Sequence, residues 1–281
     1  MAAAVQDPNR AAVAFGRQAV PQLFEQLQQR DASCSLRVLT SLCDLVHEPE
    51  RLYQIVTGGN RAEPDTQSTN RAAEGSSTAD PSRESFIAQL QDLLKDEDPS
   101  VRTKTCELLH LLTSHSIGRS ALLSSSLLPP LSVLLDDSSS SCRRNVHLVL
   151  NGLAQMPAGA QALLILVPKL MLKLRQMEEE QEEEEVLLLS TLSSCSRLDP
   201  LPALASDGVP VLGHTLSHCS PNICREATEV LMALSVPEDG KRQVCEEQVL
   251  PVLMDLLQNG DLQVQTNAAG VIMNTVIITT G

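Results

Sequence analysis

The sequence predicts an all-α fold of about six stacked helical repeats, and three observations support this prediction. A pair of leucines four residues apart recurs just before a polar break, at Leu23/Leu27, Leu90/Leu94, Leu131/Leu135, Leu170/Leu174, Leu212/Leu216 and Leu253/Leu257. From the second pair onward, successive pairs are 41, 39, 42 and 41 residues apart. The chain has no Trp, one Tyr and three Phe, so leucine must supply the core, which favours helices over strands. Such a period is typical of an armadillo/HEAT-like α-solenoid, in which each repeat buries its apolar face against its neighbours.

Each repeat is predicted to contain a first helix that ends at the leucine pair, a polar turn and a longer second helix. The fourth turn is three residues longer than the others and carries Glu178–Glu180 and Glu182–Glu185, which we expect to be a solvated turn of like charges. A glycine closes most repeats, and we expect it to be the left-handed residue after a helix C-terminus, at Gly118, Gly159, Gly240 and Gly281. The residues after it predict a short third helix, which favours armadillo over two-helix HEAT repeats.

The leucine pairs and turns also predict the boundaries of the repeats. They are an N-terminal tail at 1–18, repeat 1 at 19–59, a disordered insertion at 60–84, repeat 2 at 85–126, repeat 3 at 127–166, repeat 4 at 167–208, repeat 5 at 209–248 and an incomplete repeat 6 at 249–281. The insertion is predicted to be disordered because it lacks aromatic and large aliphatic residues. Repeat 6 ends without a polar capping unit, so we expect it to be the least stable repeat and to promote self-association.

Composition narrows the possible partners. The net charge of −14 and the scarcity of aromatic rings argue against nucleic acid and anionic membranes, and they favour basic partners. Eight scattered cysteines without a C-x-x-C pair indicate a reducing compartment, with Cys106 and Cys195 on apolar helix faces. The first residues lack the basic and apolar regions of a secretory signal, so we expect none, and the longest apolar run, 162–167, is too short to span a bilayer.

Two local motifs have ordinary structural explanations. The L-x-x-L-L docking motif is matched three times in register with the repeat, at 90–94, 131–135 and 253–257, so these leucines are predicted to be core residues. His214 and His218 lie four residues apart near Cys219 and Cys224, a spacing that zinc ligands use. The Glu of H-E-x-x-H and a paired cysteine are absent, so histidines on the solvent side of a helix end are the favoured interpretation.

No catalytic signature is present, and His147 falls on the core stripe of repeat 3, where a packed histidine is expected. We therefore predict a protein that is not an enzyme and that uses no cofactor, metal or small-molecule substrate.

The exposed face of the second helices is the predicted protein-binding groove, formed by Arg37, Thr40, Asp44, Lys104, Glu107, Asn145, Glu226, Glu229, Asn267 and Asn274. Import receptors carry one asparagine per repeat late in this helix, whereas the equivalent residues here are Asp44, Leu111, Gly152, Ser194, Ala233 and Asn274. A nuclear-import adaptor is therefore disfavoured.

Four parts of the sequence resemble a known family: Ala14–Arg17 with Ala19–Pro21, Leu42–Glu50, Asp96–Asp98 with Val101–Thr105, and Asn267–Gly270. In these parts the chain is similar to the radial spoke head 14 family, also called the rhabdoid tumour deletion region family, of armadillo-repeat proteins of motile cilia and flagella. The resemblance implies a structural scaffold in the radial spoke, with other spoke or axonemal proteins as partners and a location in the cytoplasm, cytoskeleton and ciliary axoneme. It implies no catalytic residues. The alternative that the sequence leaves open is a soluble peptide-binding adaptor in signalling or transport.

Overall fold

The structure is a computed structural model that describes residues 10–11, 18–29, 31–58, 86–177 and 181–276. Within these ranges no strand occurs, so the predicted all-α fold is confirmed. The helices are, in chain order, α1 (Ala19–Leu27), α2 (Ala32–Leu45), α3 (Pro49–Thr57), α4 (Phe86–Leu93), α5 (Pro99–Thr113), α6 (Ser116–Leu123), α7 (Leu128–Leu134), α8 (Ser140–Ala154), α9 (Pro157–Leu163), α10 (Val167–Leu174), α11 (Glu182–Leu198), α12 (Leu201–Leu204), α13 (Gly208–Thr215), α14 (Pro221–Leu234), α15 (Glu238–Glu246), α16 (Leu250–Leu256) and α17 (Leu262–Val276). A 3-10 turn, Leu164–Leu166, joins α9 to α10.

The helices recur in the predicted order of first, second and third. The second helices are the long ones, α2, α5, α8, α11, α14 and α17. Each L-x-x-L-L segment belongs to a first helix, and Leu90, Leu94, Leu131, Leu135 and Leu253 are all buried. The prediction that the motif leucines form the core is confirmed for these five and for Leu134 and Leu256, whereas Leu93 and Leu257 are half-buried.

Polar residues in the turns fix where the second helices begin. The Asp31 carboxylate accepts the Cys34 backbone N–H at 2.7 Å, and the Asp98 carboxylate accepts the Ser100 N–H at 2.8 Å. These side chains satisfy backbone donors that have no partner within the first helical turn. Pro99 then occupies the first turn of α5, where its missing N–H costs nothing.

The chain forms two compact units, Met1–Cys142 and Arg143–Gly281, and the boundary between these ranges falls within the sequence of α8. In the first unit, α2 packs beside α5 and α1 packs on α2. Leu39, Leu42 and Leu109 are fully buried there, and the rings of Phe24 and Phe86 stack with their centroids 4.0 Å apart. The first unit thus uses two of the three phenylalanines of the chain in one contact.

In the second unit, α11, α14 and α17 pack side by side in sequence order. The first helices α13 and α16 each pack on the second helix that follows them. Leu188, Leu192, Leu231 and Val271 are fully buried along this row. The same packing is repeated from one helix to the next, as a fixed sequence period requires.

Basic side chains early in several second helices reach forward to an acidic residue of the next repeat. The Arg102 Nε donates to Asp137 at 2.7 Å in the first unit. The Arg225 Nε donates to Asp261 at 2.9 Å in the second unit. Asp261 also accepts the backbone N–H of Gln263 at 2.8 Å, so one carboxylate both starts α17 and joins two repeats.

The predicted left-handed role of the repeat glycines is wrong. Gly118, Gly159 and Gly240 each lie in the first turn of a third helix, and among the described glycines only Gly58 has a positive φ. A Cβ at Gly240 would lie less than 3.0 Å from the carbonyl oxygen of Leu234, at the end of the preceding second helix. Glycine is required because two helices approach closely, which is another known use of the residue. Gly281 lies outside the described residues.

The predicted solvated turn of glutamates is also wrong for Glu182–Glu185. These residues form the first turn of α11, and Glu184 and Glu185 are buried. The Arg143 Nε lies 3.2 Å from Glu184, and an Arg144 guanidinium nitrogen lies 2.5 Å from Glu183. The helix N-terminus and the two arginines offset the repulsion between the glutamates. Glu178–Glu180 lie outside the described residues.

Three other sequence predictions, on the N-terminal tail, the insertion and repeat 6, are not tested by the described residues. The 60–84 insertion lies outside them, as does most of the 1–18 tail, although Arg10 and Ala11 contact α2. The low stability of repeat 6 stays a prediction.

By length and composition alone, Pro157–Leu174 is apolar enough to cross a membrane. This stretch comprises α9, the 3-10 turn and α10, and Leu163, Val167 and Leu170 in it are buried in the fold.

Candidate protein-binding face

The predicted groove residues of α2 lie on the surface of the first unit. Arg37 and Asp44 are exposed and Thr40 is half-buried. The Thr40 hydroxyl donates to the Leu36 carbonyl oxygen at 2.8 Å, one turn back in the same helix. The Asp44 carboxylate lies 3.1 Å from Arg10 Nε. A basic side chain therefore already contacts this part of the face.

On α5, the predicted residues neutralise each other. The Lys104 Nζ lies 2.9 Å from the Glu107 carboxylate, and the two residues are three positions apart on one helix. Both are half-buried. This pair offers a partner a dipole rather than a net charge.

In the second unit, the acidic residues of α14 form the most developed polar cluster of the face. Glu229 accepts from the Ser193 hydroxyl at 3.0 Å and is paired with Arg197, both on α11. Burial, followed by the negative charge of Glu229, raises the pKa of Glu226, while a hydrogen bond from Ser190 opposes this effect. Arg225 also acts on Glu226 by its charge and is itself paired with Asp261. The cluster thus holds three carboxylates against two guanidinium groups, so a basic side chain of a partner would find a net negative site.

The expectation that all the predicted residues share one exposed face is wrong for Asn145 and Asn267. Asn145 is 8% exposed and Asn267 is 1% exposed. The Asn267 side-chain oxygen accepts from the Gln263 amide at 3.0 Å, whereas its amide nitrogen is buried without a hydrogen-bond partner. Asn274 is half-buried and donates to the Ser235 hydroxyl at 3.0 Å. Close packing of α17 beside α14 is the physical reason for the burial of Asn267. Whether any of these residues binds a partner stays a prediction.

Sequence reasoning missed three residues whose polar groups contact those at the face: the buried Ser41 on α2, and the buried Ser193 and the exposed Arg197 on α11. A signal for the last two was present, because they lie three and seven residues after Ser190 and therefore share its side of the helix. Ser41 gave no such signal, since it is 2% exposed and its register matches buried residues in the other repeats.

The histidines behave as ordinary structural residues. His147 is buried, as expected, and its Nδ1 has no hydrogen-bond partner. Burial, and then the charges of Lys173 and Arg143, lower its pKa to about 4. His214 is exposed, and His218 Nδ1 accepts the Ser220 backbone N–H at 3.0 Å, which occupies one of its two possible ligand atoms. Within the described ranges, no group of three or more His, Cys, Asp or Glu is arranged to hold a metal ion.

The cysteines divide into buried and exposed thiols, all free among those described. Cys106 and Cys195 are fully buried on apolar helix faces, as predicted. Burial raises the pKa of Cys195 to about 12, and burial is also the main cause that raises the pKa of Cys43 to about 12. Such thiols remain protonated and unreactive near neutral pH.

Family models and solved structures show which known proteins this chain is similar to. Residues 79–203 match the family model of non-SMC mitotic condensation complex subunit 1, and residues 237–274 match that of the Armadillo/beta-catenin-like repeat. A designed armadillo repeat protein solved in complex with the peptide (KR)4 has a TM-score of 0.73 and 17% sequence identity, covering 91% of this chain and 99% of that one. Computationally designed armadillo repeat proteins for modular peptide recognition give a TM-score of 0.74 with the same identity and coverage. The chain therefore has the armadillo-type α-solenoid fold that its sequence period predicts.

Proposed function

We propose that this chain is a non-enzymatic scaffold that holds partner proteins on its second helices, as a structural component of the radial spoke of motile cilia and flagella. The observation that carries the binding role is the Glu226/Glu229 cluster, a net negative site on a face built from neighbouring second helices. The net charge of −14 extends the same preference for basic partners over the chain. The location in the axoneme, with other spoke proteins as partners, is supported by the sequence resemblance.

A second candidate function is a soluble adaptor that binds peptides transiently. A specific observation favours it: the designed armadillo protein of similar fold was solved with the basic peptide (KR)4. The two functions use the same face but differ in the lifetime and the location of the complex. A spoke component stays bound to the axoneme, whereas an adaptor exchanges with the soluble pool.

Extraction from axonemes separates these functions. The tagged chain would be expressed in a motile ciliated cell, and its axonemes washed with detergent and then with high salt. A spoke component is expected to remain after detergent and to leave in high salt, because its contacts are charged. Complete release by detergent would favour the adaptor and contradict the spoke proposal.

Isosteric variants test whether the acidic face mediates the retention. Glu226→Gln with Glu229→Gln removes both charges of the cluster at constant volume, and we expect loss of axonemal retention. The matched control is Glu246→Gln with Glu247→Gln, which removes two exposed charges at the end of α15. Far-UV circular dichroism must show equal helix content in both variants. Equal retention of the two would exclude the Glu226/Glu229 cluster as the binding face.

A further inference from the structure

A short piece of the chain itself lies across the predicted binding face of α2. The Ala11 backbone N–H donates to the Ser41 hydroxyl oxygen at 3.1 Å. The Ala11 carbonyl oxygen lies 3.5 Å from the same hydroxyl, and the Arg10 Nε lies 3.1 Å from the Asp44 carboxylate. Two consecutive non-helical residues thus use backbone and side-chain groups to contact one helix.

One of the receiving groups, the Ser41 hydroxyl, is also held by the backbone of α2 itself. Ser41 is 2% exposed, and its hydroxyl also donates to the Arg37 carbonyl oxygen at 3.0 Å, one turn back in α2. That bond orients the hydroxyl so that its oxygen can accept from an incoming N–H. Asp44 lies three residues later on the same side of the helix, where its carboxylate can receive a basic side chain.

This combination is found in one second helix alone. Counting by the repeat period, the residues equivalent to Ser41 and Asp44 are Leu108 and Leu111, Val149 and Gly152, Thr191 and Ser194, Val230 and Ala233, and Val271 and Asn274. No other pair offers both a hydroxyl and a carboxylate. The contacts of Arg10 and Ala11 are therefore specific to α2 and do not follow from the fold.

We infer that Ser41 and Asp44 form a subsite for a peptide segment that carries an arginine followed by a small residue, and that Arg10–Ala11 of the chain fills it in cis. The inference rests on the proposed binding role of the second helices and names the chemistry that α2 selects. A partner segment must displace Arg10–Ala11, so the apparent affinity is reduced by the fraction of molecules in which the subsite is filled. Removing the internal occupant should therefore strengthen binding of an external one.

Peptide binding to the full chain tests this prediction. The probe is a fluorescein-labelled synthetic peptide with the sequence of residues 7–13, followed by fluorescence anisotropy. Arg10→Glu places a negative charge beside Asp44 and should expel the internal segment, so we expect this variant to bind the probe about fivefold more tightly than the wild type. Arg242→Glu is the matched control, because it reverses an exposed arginine that pairs with Asp239 on α15, and its affinity should equal that of the wild type.

A second substitution locates the subsite. Asp44→Asn in the Arg10→Glu background should lower the affinity for the probe at least fivefold, and Asp44 is exposed, so the fold should not depend on it. Equal affinity of wild type and Arg10→Glu would overturn the internal occupancy. Absence of binding to Arg10→Glu, or binding that ignores Asp44→Asn, would overturn the subsite. Each of these results leaves the scaffold proposal standing, because axonemal retention of the Glu226/Glu229 variant tests it separately.

Discussion

Removing one partner of the ion pair between Arg102 and Asp137 is expected to destabilise the junction between repeats 2 and 3. The two side chains are 15% and 3% exposed, and the Arg102 Nε lies 2.7 Å from the carboxylate. A guanidinium nitrogen of Arg102 also donates to the carbonyl oxygens of Asp96 at 2.8 Å and Glu97 at 3.0 Å. Asp137→Asn removes the charge and keeps an oxygen that can accept the Ser139 backbone N–H, which the carboxylate now does at 2.8 Å.

The size of the effect follows from burial. Removing one partner of a fully buried ion pair costs about 3–5 kcal/mol, because the other charge stays buried without compensation. Arg102 retains some contact with water and two carbonyl partners, so we expect Asp137→Asn to lower the free energy of unfolding by about 2–3 kcal/mol. The matched control is the Arg144–Glu183 pair, whose side chains are 43% and 63% exposed. Glu183→Gln should cost less than about 1 kcal/mol.

Urea unfolding of the full chain, followed by far-UV circular dichroism, measures both variants. Repeat arrays can unfold in parts, so hydrogen exchange of α5 and α8 should accompany the urea data. The effect of Asp137→Asn should persist at high salt, whereas that of Glu183→Gln should disappear as exposed charges are screened. Equal costs for the two substitutions, or equal salt sensitivity, would refute the assignment of stability to the buried pair.

Three further predictions concern single positions. Gly240→Ala should lower the free energy of unfolding by about 3 kcal/mol, because the added Cβ would overlap the Leu234 carbonyl. The control is Gly260→Ala, since a Cβ at Gly260 would have no atom within 4 Å. In urea unfolding this control should change the free energy by less than about 1 kcal/mol. His147 takes up a proton more readily when unfolded, because burial, and then the charges of Lys173 and Arg143, lower its folded pKa to about 4. Its contribution to the free energy of unfolding, roughly 3 kcal/mol at most, is present above pH 6.5 and is lost as the pH falls towards 4. His147→Leu should therefore make urea midpoints less sensitive to pH over this window, and an unchanged sensitivity would contradict the assigned pKa. In the folded chain, maleimide should label the exposed Cys219 within minutes and should leave the buried Cys195 unlabelled, as detected by mass spectrometry. Equal labelling of the two cysteines would show that the core around Cys195 opens readily.

The sequence was sufficient to predict the helical repeat because the signal is periodic and local. Leucines four residues apart bury one side of each first helix, so their period reports packing directly. The glycines show where this reasoning stops. Gly240 recurs at a fixed place in the repeat, but periodicity does not distinguish a left-handed backbone from a close approach to Leu234. That choice depends on the distance between two helices, which sequence spacing does not contain.

The candidate site was predicted less completely for the same reason. The helical period identifies Glu226 and Glu229 as neighbours on one side of α14, and both lie at the surface of the second unit. It assigns Asn267 to the same face, although packing against the preceding helix buries it. The acidic first turn of α11 was misjudged because its partners, Arg143 and Arg144, are about forty residues away in the sequence. Charge pairing across repeats is a tertiary property.

These cross-repeat pairs also explain how an acidic chain can hold itself together and still keep the negative charge that the proposed basic partners require. The sequence has 21 Lys and Arg residues against 35 Asp and Glu residues. Arginines at the starts of second helices are used within the fold, as Arg102 with Asp137 and Arg225 with Asp261 show. Each such pair neutralises one acidic residue and removes one basic residue from those available to a partner, so the excess negative charge remains on the other surfaces. A basic segment that binds the second helices therefore meets an excess of carboxylates, although some of them, such as Glu229 with Arg197, already have a cationic partner in the fold. Arg10 at Asp44 is the internal example of a basic residue bound to this face.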